Sequence, residues 1–69
     1  MDEKLFETAV QAAMKLIKTS SDWQDVENAL WNDDRFHKAL ATGPDDRIAM
    51  DIIHEAETRL GDDMPEGYS

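Results

Sequence analysis

One stretch constrains this chain more than any other: Trp23-Gln-Asp-Val26-Glu-Asn-Ala-Leu30-Trp31-Asn-Asp-Asp-Arg35-Phe36. It holds both tryptophans and one of the two phenylalanines of a 69-residue chain. Trp23, Val26 and Leu30 recur at three- and four-residue steps, which is one face of a helix. Asn32-Asp33-Asp34 is a turn and cap cluster that breaks this helix. Arg35-Phe36 then opens a second, short one. A domain this small buries only about 60% of the surface its unfolded chain exposes, so a few rings must carry much of the core. The expectation is that Trp23 and Phe36 are wedged together beneath two longer helices, with burial expected of Trp23 above all.

The flanking sequence supplies those longer helices. Over 2–18, Phe6, Ala9, Val10, Ala13, Leu16 and Ile17 line one face at helical spacing. Asp2 and Glu3 near its start and Lys15 and Lys18 near its end suit the helix dipole. Ala9, Ala12 and Ala13 are small, so a second helix, or a second copy of the chain, can approach closely there. Ser21 with Gln24 three residues later fits a capping box, which predicts helix two over 22–31. A short, 3₁₀-like helix is expected over 34–41, with Phe36 and Leu40 inward. Pro44 suits the first position of a last helix over 44–60. There Ile48, Ala49, Ile52, Ile53, Ala56 and Leu60 form the apolar stripe, and Gly61 closes it in a left-handed conformation. The fold class is therefore all-α: three main helices with a short helix between the second and the last. Residues 1–61 form one domain, and 62–69 read as a flexible acidic tail.

Sixteen acidic residues against seven basic ones give a formal charge of −9. That balance argues against nucleic-acid binding, which relies on Lys and Arg neutralising phosphates, and against docking on anionic lipid. It favours a basic protein partner through long-range attraction. The chain has no cysteine, so neither a disulfide framework nor a thiolate metal site is available. No apolar run is long enough for a membrane helix, and the start does not resemble a signal peptide. The expectation is a soluble intracellular protein, monomeric or weakly homodimeric.

No pattern of catalytic residues stands out. The serines sit at the capping junction and the C-terminal end, and every glycine follows residue 42, so no phosphate-cradling loop precedes a helix. Asp34-x-x-His37 and Asp51-x-x-His54 each place a carboxylate and an imidazole on one helix face. This spacing is related to the Glu-x-x-His pairs of di-metal bundles, but the acids are the shorter Asp and acidic residues are abundant. Surface histidines beside carboxylates are the simpler reading, so no metal, no cofactor and no enzymatic activity are expected. Trp31 lies about 100° around the axis from Leu30. It is either a second core wedge or a surface anchor, and exposed tryptophans are frequent binding hot spots. Trp31, Asp34, Arg35, His37 and Lys38 are the candidate partner-binding residues.

Phe6, then Trp23-x-x-Val26-x-x-x-Leu30-x-x-Asp33-Asp34-Arg35-Phe36, then Arg47-x-x-Met50-x-x-Ile53 resembles the FF domain. The likeness covers about residues 4–59 and is strongest from Trp23 to Phe36. It departs in the last helix, where Met50 stands for the family's second Phe and Ile53 for a following aromatic. The resemblance implies three helices with a 3₁₀ helix before the last, and a protein-interaction module that binds a protein or peptide. The charge points to a second class: an acidic inhibitor of the phage or plasmid type that occupies a basic, DNA-binding surface on a host protein.

Overall fold

In a computed structural model that describes residues 1–69, the chain forms four α-helices and no strand. They are α1 (Glu3–Thr19), α2 (Trp23–Trp31), α3 (His37–Leu40) and α4 (Arg47–Leu60), followed by a 3₁₀ turn at Gly61–Asp63. The all-α architecture and its helix order are those expected from the apolar periodicity. No helix is long and apolar enough to cross a membrane.

The longest helices, α1 and α4, pack on each other, and α2 lies against both. Ala9, Val10, Ala13 and Ile17 of α1 and Ala49, Ile52, Ile53, Ala56 and Leu60 of α4 are buried. Alanines on both helices let the backbones approach, and the branched residues fill the space beside them. Ala9 and Ala13 are spent inside this interface and are not a free face for a second copy. Val26 and Leu30 of α2, then Phe36 and Leu40 around α3, complete a core of thirteen residues. None of the thirteen is polar or charged.

The wedge itself is not as the spacing predicts. Phe36 is fully buried, but Trp23 is 36% exposed and is not among the side chains packed against the core. Periodicity fixes the direction of a side chain around its own axis. It does not say whether another element lies opposite. Trp23 is the first residue of α2, and its backbone N–H is met by Ser69 O at 3.1 Å, so the C-terminal segment rather than a helix lies beside it.

That segment is the second difference. Residues 62–69, expected to fray, fold back onto the body. Ser69 N–H donates to Ser21 O at 3.3 Å, Met64 and Tyr68 pack on the core's edge, and Tyr68 Oη donates to Glu57 Oε2 at 2.7 Å. The radius of gyration is 11.1 Å, against about 11 Å for a compact chain of this length. Burial, and then the Glu57 carboxylate, hold the Tyr68 phenol well above its usual range.

The caps also shift. Asp22, not Ser21, caps α2: its Oδ1 accepts from Asp25 N–H at 3.0 Å. A carboxylate is a stronger acceptor at a positive helix end than a hydroxyl, and Ser21 is held in the pairing with Ser69. Helix α4 starts at Arg47 rather than Pro44, because Asp45 adopts φ +50° and interrupts the helical path. The short helix is α-type from His37, with an i−3 bond from Phe36 N–H to Asp33 O just before it. Gly61 has a positive φ, 49°, but its ψ of −118° lies outside the left-handed helical conformation expected of it. Gly43 meets a different demand: a Cβ there would lie 2.7 Å from Ile48 Cδ1, so a bare Cα lets the loop close over Ile48.

Candidate interaction site

The corner between α2 and α3 brings some of the expected residues together. Trp31 is half-buried against the core's edge, between the two alternatives its spacing left open. Its ring meets His37 edge to face, with centroids 5.9 Å apart and planes at 77°, the arrangement aromatic quadrupoles prefer. His37 Nδ1 lies 2.9 Å from Trp31 O. A carbonyl only accepts, so Nδ1 carries a hydrogen and donates it to Trp31 O. The imidazole closes the C-terminal end of α2 and fixes the indole beside it.

Arg35 is held differently. Its Nε and Nη2 donate to the two carboxylate oxygens of Asp33 at 3.1 and 2.8 Å, and its backbone N–H donates to Asp33 Oδ1 at 2.9 Å. These bonds hold the Asp33 carboxyl below its usual range. The guanidinium also lies 4.7 Å from the centroid of Phe36 and covers that ring from the solvent side. Arg35 is therefore a lid over the core, with one face left to water. Asp34 and Lys38 are exposed, and neither makes a side-chain hydrogen bond or ion pair.

A second place, on the two long helices, is less legible from sequence. Asp51, His54, Glu55 and Thr58 recur along one ridge of α4 and, with Phe6 of α1, line an open depression of about 590 Å³. Asp51 and His54 form one of the carboxylate–imidazole spacings noted above; Phe6 joins them only through the packing of α1. Beside the depression, Arg59 donates from Nη2 to Glu7 Oε1 at 2.8 Å and from Nε to Glu55 Oε2 at 2.9 Å. This clasp ties α1 to α4. Hydrogen bonds to Glu7, from Arg59 first and then from Gln11 within α1, hold its carboxyl down to about 2. The side chains of Arg59 and Glu7 are 34% and 49% exposed, so water screens the pair and it orients the helices more than it stabilises them.

A third carboxylate stands apart. Glu27 Oε2 is buried without a hydrogen-bond partner. Burial first, then the neighbouring Asp46 carboxyl, push Glu27 above the usual carboxylate range. No cluster of three or more His, Cys, Asp or Glu side chains has the arrangement of a metal site. Comparison with protein-family models, curated proteins and solved structures found no match.

Proposed function

We propose that this protein is a small, non-enzymatic interaction module that docks its acidic surface on a basic protein partner. The observation that carries the reading is the segregation of charge. The buried core contains no polar or charged residue, so the sixteen acidic side chains lie outside it. Only Glu7, Asp33 and Glu55 are in ion pairs. The Trp31–His37 corner supplies an aromatic element of the kind that anchors interfaces, flanked by Asp34, Arg35 and Lys38.

The likeness to FF domains adds a precedent for peptide docking. Its Trp–Phe pairing is not what supports the reading here, because Trp23 lies outside the core. The same charge surplus favours the acidic-inhibitor alternative, in which the partner's basic surface otherwise holds nucleic acid. Titration with an oligoarginine peptide at low and moderate ionic strength tests the reading. Binding is expected, weakening steeply as the Debye length shrinks. No binding at low salt refutes it. Salt-insensitive binding that Trp31→Ala abolishes moves the anchor to the aromatic corner.

A further inference from the structure

We infer that the depression between α1 and α4 is a receptor for one cationic side chain, an arginine or lysine of the partner. The inference rests on the acidic interaction surface proposed above and names where on that surface the partner's anchor sits.

Three features of the depression point to this occupant. First, it is an open depression lined by side chains of two different helices. Second, its lining is one aromatic ring, Phe6, among polar side chains: Asp51, His54, Glu55 and Thr58. Small-molecule pockets are predominantly apolar, and a single phenyl is too little surface for an apolar ligand. A guanidinium or ammonium is suited to both parts, since its flat or compact charge rests on an aromatic face while carboxylates meet its N–H groups. Third, the local charge has the right sign. Asp51 is exposed and makes no ion pair, and Glu7 and Glu55 share the single cation Arg59. The lining itself holds two carboxylates, Asp51 and Glu55, and no Lys or Arg.

Part of the rim is also held before any ligand arrives. Thr58 Oγ1 donates to His54 O at 2.9 Å, and Arg59 fixes Glu7 and Glu55 on the two helices. Less side-chain freedom is then lost on binding. The Trp31–His37 corner does not offer the same fit: its aromatic ring is already engaged by His37, and its Asp33 carboxylate is already taken up by Arg35.

The test is a pair of measurements on the full chain. N-acetyl-arginine amide is titrated into isotopically labelled protein while backbone amide shifts are followed, and the oligoarginine peptide is titrated into variants. Expected are shifts centred on Phe6, Asp51, His54, Glu55 and Thr58. Asp51→Asn should weaken the peptide by up to about fivefold, the worth of one exposed ion pair. Phe6→Leu should weaken it by about two- to fivefold, the worth of an exposed cation–π contact. His54→Lys, which adds a charge to the rim without touching the core, should weaken it in the same sense. Shifts spread evenly over the acidic surface, with all three variants binding as the parent does, overturn the inference while leaving the interaction reading intact. Failure of the parent to bind the peptide at low salt overturns both.

Discussion

Phe36→Ala is the substitution that most directly probes how this fold is held. Phe36 has no exposed surface and is the largest of the fully buried side chains. Truncating a buried phenylalanine costs about 3–5 kcal/mol, from lost transfer energy plus the cavity left behind. At the usual stability per residue, a chain of this length has only about 3–10 kcal/mol in all. Loss of the contact with Arg35 adds about 0.5–1 kcal/mol. The variant should therefore be largely unfolded in water, or melt tens of degrees lower, since about 1 kcal/mol moves the midpoint by about 4–8 °C in a domain this small. Trp23→Ala is the matched control. Trp23 is 36% exposed and is not packed against the core, so its loss should cost about 1 kcal/mol, the typical value for a point substitution. Urea unfolding followed by far-UV circular dichroism separates the two. A cooperative transition near the parent midpoint for Phe36→Ala, with collapse of the fold for Trp23→Ala, would refute the argument and restore the indole as the central wedge.

Two further predictions concern carboxylates. The folded-state value of Glu7 lies at about 2, below its unfolded value of 4.5, so the clasp's contribution is complete above about pH 4.5 and is lost as pH falls toward 2; Arg59→Met should flatten the melting temperature across that acid window, and an unchanged acid limb would dismiss the clasp. Glu27 is shifted the other way, so its contribution is complete below the unfolded value and is lost as pH rises; Glu27→Gln should then raise the melting temperature at pH 7 more than at pH 4, and a drop at pH 7 would show that the charge is satisfied.

How far the chain is legible from sequence varies along its length for physical reasons. The inward faces of α1 and α4 were readable because apolar residues at helical spacing have only one way to leave water together. Phe36, Val26 and Leu30 followed by the same logic. Trp23 has the same periodicity but lies at a helix end, where burial depends on which element comes past, and periodicity carries no such information. Residues 62–69 have a loop-like composition, yet two backbone bonds to Ser21 and Trp23 and one from Tyr68 to Glu57 dock them. These long-range partners leave no local pattern. Trp31 and His37 were readable as neighbours at a corner, but their edge-to-face contact depends on the turn between them. The depression joins a ridge of α4 to Phe6, forty-five residues before Asp51. Each ridge can be read separately, and only their packing makes the depression.

The sequence by itself determined the helices, their order, the apolar stripes and a surplus of acid that no apolar core can hold, because spacing and hydration act locally. Tertiary structure alone decided which ring is sealed, that the C-terminal segment lies against the body, and where carboxylates and an aromatic face converge. Those outcomes depend on contacts between residues distant in the chain, whose geometry is set only when the helices meet.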